Sequence, residues 1–173
     1  MAVAIYFLNI ITVYAKKMYV KKAEKKLSKY NDLLVIGITG SYGKTSVKTF
    51  LHQILSNKFK TVCTPKNINT EIGIAKFILK QDFKNIDVFI VEMGAYNIGE
   101  IKIICDMVHP SIGVLTAINE QHLSLFGSIK NTQTAKYELL RSLPKTGLAI
   151  VNSDNKYCRE YLNRSEERRV GKE

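Results

Sequence analysis

Leu33 to Ser46, LLVIGITGSYGKTS, is the stretch that sets the fold. An apolar run of strand length ends in a glycine-rich turn, and a helical pattern starts at once. Val47, Phe50, Leu51, Ile54 and Leu55 recur at the spacing of one helix face. Strand, glycine loop, Lys-Thr and helix make a phosphate cradle, in which loop N–H groups point at the anion and the helix N-terminus adds its positive dipole end. Thr39, Gly40, Ser41, Gly43, Lys44, Thr45 and Ser46 are the residues that would surround the phosphates. In this pattern the lysine reaches the β- and γ-phosphates and the Thr45 hydroxyl sits on Mg²⁺. The strict spacing wants a glycine six residues before the lysine, where Ile38 stands; the glycines fall at 37, 40 and 43. The flanking strand and helix still predict that ATP or GTP binds here.

Outward from this loop the chain keeps an α/β rhythm. Strand patterns fall at about 33–38, 61–64, 87–92, 111–118 and 147–151, and helical ones at about 44–57, 71–79, 99–107 and 128–143. Strands alternating with helices through short loops predict a three-layer α/β domain on a mainly parallel sheet. A hydrophobic and basic helix precedes it. In such sheets ligands bind at the carboxyl ends of the strands.

The 173 residues suffice for one such domain, and the three cysteines, Cys63, Cys105 and Cys158, show no paired or metal-ligand spacing. The net charge of +11 is not spread over the chain, because residues 16–29 hold seven lysines against one glutamate. That segment lacks the arginines and interleaved aromatics of a nucleic-acid surface. Met1 to Ala15 (MAVAIYFLNIITVYA) is apolar apart from Asn9 and Thr12. As a helix it spans roughly 22 Å, short of a ~30 Å hydrocarbon core. Charges that follow an apolar run, rather than precede it, are the pattern of a membrane segment leaving on the cytoplasmic side. A membrane anchor at the inner face of the plasma membrane is the expectation, against the alternative of a helix packed on the domain. The domain expected over 31–163 stops while still in its α/β rhythm, and Arg164 to Glu173 (RSEERRVGKE) reads as a charged tail foreign to it.

Three further residues could do chemistry. Glu92 ends an apolar strand on the same edge as the glycine loop, where nucleotide-binding sheets place a Mg²⁺ ligand, although a solvated strand-end glutamate would look the same. His122 follows the strand at 111–118 and opens at that edge; on local pattern a structural histidine is the commoner outcome. Lys136 shares a helical stripe with Ile129, Leu140 and Leu143. A lysine there is either paired, neutralised or modified, or it snorkels with its amine in water.

A series of motifs in register then points to a family. The loop Gly37-Ile38-Thr39-Gly40-Ser41-Tyr42-Gly43-Lys44-Thr45-Ser46 resembles the variant P-loop of the Mur ligases, which accounts for the displaced glycine. Thr64 to Gly73 (TPKNINTEIG) resembles that family's next loop. Glu92-Met93-Gly94-Ala95 with Gly99-Glu100-Ile101 is similar to the branch that adds D-alanyl-D-alanine rather than a single amino acid. Gln121-His122-Leu123 with Phe126-Gly127-Ser128, Ala135-Lys136-Tyr137-Glu138, and Val151-Asn152-Ser153-Asp154 continue the likeness in order.

The resemblance implies an ATP-dependent ligase of peptidoglycan precursor synthesis, joining D-alanyl-D-alanine to UDP-N-acetylmuramoyl-tripeptide. It implies ATP and Mg²⁺ as cofactors, Lys44 and Thr45 on the phosphates and first metal, and Glu92 as a metal ligand. His122 would help hold a second Mg²⁺, and Lys136 would be carbamylated by CO₂ into an anionic ligand. Asn69 and Thr70 would face substrate or metal, Thr70 standing where many relatives have asparagine. The family's uridine-binding and C-terminal domains find no counterpart in the sequence, so this chain alone is expected to turn over slowly or not at all. The alternatives are a family ligase with a different acceptor and an inactive, membrane-tethered ATP-binding fragment. A GTPase-like switch lacks support, since no Asn-Lys-x-Asp guanine-reading motif occurs.

Overall fold

In the computed structural model, residues 2–120 and 126–162 are described, with side chains from Thr12 onward. Five parallel strands form one sheet in the order β2-β3-β1-β4-β5: β1 Leu34–Thr39, β2 Thr61–Cys63, β3 Val88–Glu92, β4 Ile112–Leu115 and β5 Leu148–Val151. The strand that leads into the glycine loop is central. Its register aligns Ile38 with Glu92 on one side and with Val114 on the other, so the loop, Glu92 and the chain after β4 open at one edge.

Helices α1 Ala2–Leu27, α3 Glu71–Lys80, α4 Glu100–Val108 and α5 Ile129–Arg141 alternate with the strands, while α2 Lys44–Leu55 follows the glycine loop directly. On one face Val35, Phe89, Val91 and Met93 pack against α1, α3, α4 and Leu139 of α5. On the other, Ile36, Ile38, Val88 and Ile90 pack against Val47, Leu51 and Leu55 of α2. The expected three-layer parallel architecture is therefore present. Side-chain caps fix where two of the helices start: the Thr70 hydroxyl accepts from the Gly73 N–H at 3.3 Å, and Ser128 Oγ accepts from the Asn131 N–H at 3.2 Å.

Two expectations change. The strand expected at 111–118 ends at Leu115, because the chain then turns across the glycine loop: Thr116 N–H donates to the Thr39 carbonyl, and Ser41 N–H donates to that of Ala117. The apolar lead and the lysine segment form a single helix, α1, the hydrophobic and basic helix expected before the domain, but it is not wholly set apart as an anchor. Its C-terminal half belongs to the core, with Ala23 and Leu27 buried against α3 and α4. The packed-helix alternative thus holds for that half. No helix among the described residues is long and apolar enough to cross a membrane. The charged tail from Arg164 lies outside the described residues.

Candidate nucleotide site

The glycine loop takes its shape from positions 40 and 43. Gly40 has φ +153°, and a Cβ there would lie 2.1 Å from Thr116 Oγ1 and 2.9 Å from the Ala117 carbonyl. Gly43, with φ +79°, precedes α2 in the left-handed region, which glycine enters without steric cost. Ile38, at the place of the missing glycine, is fully buried under α2 and never meets the loop's interior. The chain after β4 braces the loop from outside: Asn119 N–H donates to Ser41 Oγ at 3.2 Å and Thr116 Oγ1 donates to the Tyr42 carbonyl at 2.6 Å. Thr39 Oγ1 donates to the Met93 carbonyl at 2.9 Å, tying the loop to the end of β3. Ser46 is exposed in the first turn of α2.

Lys44 Nζ lies over the loop, donating to the Gly40 carbonyl at 2.8 Å and the Ser41 carbonyl at 3.4 Å. Burial lowers its pKa, against the opposing charge of Glu92. One turn away, Glu92 Oε2 accepts from Thr45 Oγ1 at 3.0 Å and pairs with Lys48 Nζ at 3.0 Å. Its other oxygen accepts from Asn69 Nδ2 at 3.3 Å, and its backbone N–H donates to Thr64 Oγ1 at 3.0 Å. Burial pushes the Glu92 carboxyl up, but the hydrogen bonds from Lys48, Asn69 and Thr45 and the lysine's charge outweigh it. Its pKa therefore falls below the ordinary value.

Lys48 is the residue the sequence reading passed over. It is 3% exposed, and its ammonium also reaches the Pro65 carbonyl at 3.4 Å. It joins α2, the end of β3 and the loop carrying Asn69. A signal was present, since Lys48 stands three and seven residues before Leu51 and Leu55, the stripe geometry that singled out Lys136.

Lys136 is buried on α5 and lines a small cleft with Gly40, Ser41, Lys44, Asn69 and Thr132. It does not snorkel into solvent. Its amine lies 5.8 Å from the Phe126 ring centre. Burial, helped by the charge of Lys44 and opposed by Glu100 and Glu138, lowers its pKa to about 8. Glu138, which carried no assigned role, accepts from the N–H groups of Gly99 and Lys102 at 2.6 and 2.9 Å and so caps the N-terminus of α4.

The structure thus brings the P-loop, Asn69 and Lys136 to one cleft, with Glu92 bonded to Thr45 and Asn69 beside it. Thr70 is exposed and committed to capping α3. His122 lies outside the described residues. Among the described residues no cluster of three or more His, Cys, Asp or Glu side chains occurs. For Mg²⁺ the test is the donor set: a threonine hydroxyl and an ionised carboxylate 3.0 Å apart are hard oxygen donors that suit it. A larger cavity, about 630 Å³, opens between α2 and β4, but apart from Asp32 and Asp87 its lining is apolar. Its walls offer no phosphate cradle.

A parallel sheet whose central strand feeds a glycine loop and a helix opening Lys-Thr defines a P-loop nucleotide-binding domain. The chain belongs to the Mur ligase family, for the sequence model of the Mur ligase middle domain matches residues 38–172. It is 37% identical over 130 residues to UDP-N-acetylmuramoyl-tripeptide–D-alanyl-D-alanine ligase of Synechocystis, covering 75% of this chain and 28% of that protein. To the Escherichia coli enzyme of the same name it is 36% identical over 121 residues, covering 70% and 26%. Among solved structures it is similar to MurF of Acinetobacter baumannii (TM-score 0.82, 28% identity, 88% of this chain and 33% of that one). It is also similar to the MurF ligase of Thermotoga maritima in complex with ADP (TM-score 0.79, 31% identity, 86% and 34%). The chain spans about a quarter of the length of these curated relatives.

Proposed function

We propose that this chain is the ATP-binding part of a ligase that joins D-alanyl-D-alanine to UDP-N-acetylmuramoyl-tripeptide in peptidoglycan precursor synthesis. The observation that favours it is the convergence of Lys44, Lys136 and Asn69 on one cleft, beside the Thr45–Glu92 pair. A bare nucleotide binder has no need of a buried lysine across from its P-loop. The reaction begins when a substrate carboxylate oxygen attacks the γ-phosphorus of ATP, forming an acyl phosphate and releasing ADP. The dipeptide amine then attacks the acyl carbon, phosphate leaves, and the nitrogen loses a proton as the amide forms. The loop N–H groups and Lys44 hold the phosphate oxygens and offset the charge that builds on them. Thr45 and Glu92 would hold Mg²⁺, which when bound neutralises the β- and γ-oxygens. Asn69 would steer substrate while keeping Glu92 in place, with Thr70, the cap of α3, next to it in the loop.

Lys136 fits carbamylation because a lysine with a pKa near 8 offers an unprotonated amine at neutral pH. That nitrogen attacks CO₂, a proton leaves, and a carbamate anion results. With His122, it would complete a second metal site. The N-terminal segment attaches the domain to the inner face of the plasma membrane.

Titration calorimetry with Mg·ADP tests the core of this reading. Wild type is expected to bind, and Thr45→Ala is expected to lose at least about tenfold, one missing metal ligand. Equal binding by GDP, or binding that survives Thr45→Ala and EDTA alike, would overturn it. Peptide mapping in bicarbonate is expected to show one CO₂ on Lys136. The isolated chain is expected to ligate slowly or not at all.

A further inference from the structure

Helix α1 has a direction relative to the nucleotide site. Near its middle, Lys16 Nζ lies 3.4 Å from Glu71 Oε1, at the first residue of α3. Near its end, Lys26 Nζ donates to the carbonyls of Leu79 and Gln81 at 2.9 and 2.6 Å, where α3 finishes. The two helices therefore run side by side in the same sense. Since α3 starts just after the Asn69 loop, it starts at the carboxyl edge of the sheet, and α1 followed backwards from Lys16 leaves the domain at that edge. The helix continues upstream to Ala2, ~20 Å further at 1.5 Å per residue. This is the apolar part of the sequence.

The charges on α1 are also placed. Val20, Ala23 and Leu27 face the domain. Lys22, Lys25 and Lys29 share the opposite side, while Lys17 and Lys21 flank the cleft that α1 forms with Asp106 and Met107 of α4; all five are exposed. On the same outward side Tyr14 and Met18 are 66% and 40% exposed. The acidic residue on this stretch, Glu24, lies near His109 and in the same cleft as Lys17 and Lys21, off the outward stripe. A lysine stripe flanked by exposed aromatic and apolar side chains, continuous with an apolar end, is complementary to anionic lipid headgroups.

We propose that α1 docks the domain obliquely on an anionic bilayer, its apolar end deepest and its outward lysines over the headgroups, so that the carboxyl edge of the sheet, and hence the nucleotide cleft, lies nearer the lipid than the opposite edge. The inference rests on the membrane-attachment reading and adds an orientation and a lipid class to it. Substrate would reach the cleft from the membrane side, and the opposite edge, with the α2–β2 turn, would face away.

Vesicle flotation of the whole chain tests attachment, and quenching tests orientation. Phosphatidylcholine vesicles with added phosphatidylglycerol are expected to float the protein at low salt, and phosphatidylcholine alone to float much less. Raising the salt is expected to release it, because lysine–headgroup attraction is screened within a Debye length. Lys22, Lys25 and Lys29 changed together to Gln, exposed positions on the outward stripe, are expected to abolish the preference for phosphatidylglycerol. For orientation, a bimane is placed at Ile98→Cys on the carboxyl edge or at Lys58→Cys on the far edge, each with Cys63→Ser. Headgroup spin-labelled lipid is expected to quench the first several-fold more than the second. Flotation with equal or reversed quenching overturns the orientation and leaves attachment standing. Flotation insensitive to salt and to the lysine changes overturns the lysine stripe as the docking face. Failure to float, including retention on duplex DNA without vesicle binding, overturns attachment itself.

Discussion

Two lysines flank the glycine loop, each about 96% buried, and their surroundings differ in kind. Lys48 has a carboxylate at 3.0 Å and a backbone carbonyl at 3.4 Å. Lys136 has an aromatic ring at 5.8 Å and a second cation, Lys44, among its neighbours; Glu100 and Glu138 are near enough to help, but among the described residues neither pairs with it directly. The contrast teaches what each side of the site is for. On the Lys48 side, every charge is answered and three elements are fastened together, which is what positioning a metal ligand requires. On the Lys136 side, a cation is held where its charged form is disfavoured, which is what a reactive amine requires.

Breaking the answered side should have the largest effect. Lys48→Met leaves Glu92 buried without its cation, and loss of one partner of a buried pair costs ~3–5 kcal/mol. Denaturant unfolding at neutral pH would read this directly. The pH dependence sharpens it. Glu92 has a folded pKa below its unfolded value of 4.5, so its stabilising contribution is present above that value and is lost as pH falls through the folded one. Lys48→Met is expected to flatten this acid limb. A loss under about 1 kcal/mol, within the range of ordinary surface changes, would show that the pair contributes little.

The unanswered side should respond with the opposite sign. The Lys136 pKa of about 8 lies below its ordinary value of 10.5, a difference worth on the order of 3 kcal/mol. The unfolded chain binds this proton more readily, so the penalty is complete below pH 8 and is relieved as pH rises toward 10.5. Lys136→Met, measured in CO₂-free buffer, is expected to be more stable than wild type near pH 7, with the advantage shrinking across that window. A pH-independent difference would mean that the gain is only packing. Bicarbonate should narrow the gap by converting the wild-type amine to the carbamate, and should leave the variant unchanged.

How much of this was legible in the chain follows from range. The P-loop, the parallel sheet and the cleft edge were read from local patterns, because strand, turn and helix are written in consecutive residues. The end of β4 was not, since Thr116 and Ala117 leave the sheet for partners some 75 residues earlier in the glycine loop. The cap made by Thr70 was hidden for a related reason: a threonine in a polar loop gives no sign that the Gly73 N–H will take its hydroxyl. Lys48 and Glu138 were missed although both were on the page, because a charge on a helix gives no sign of its partner when that partner lies on another element. Lys136 stood out only because its stripe was unusually apolar.

The smallest effect tests whether the Lys136 side is itself structured by charge. Glu138 sits two residues further along α5, caps α4, and raises the pKa of Lys136. Glu138→Gln keeps one acceptor oxygen for the α4 N–H groups but gives up the charge, an expected loss of about 1–2 kcal/mol for a charge-assisted cap. Part of that loss is the cap and part is support for the buried cation. A cycle with Lys136→Met separates them, since groups in one electrostatic neighbourhood couple by ~0.5 kcal/mol or more. If Glu138→Gln costs less in the Lys136→Met background, the glutamate partly holds the amine's charge in the protein interior. If the cost is the same in both, Lys136 is set by burial, Lys44 and Glu100 without Glu138, and the two sides of the loop differ in kind more sharply than the α4 cap suggests.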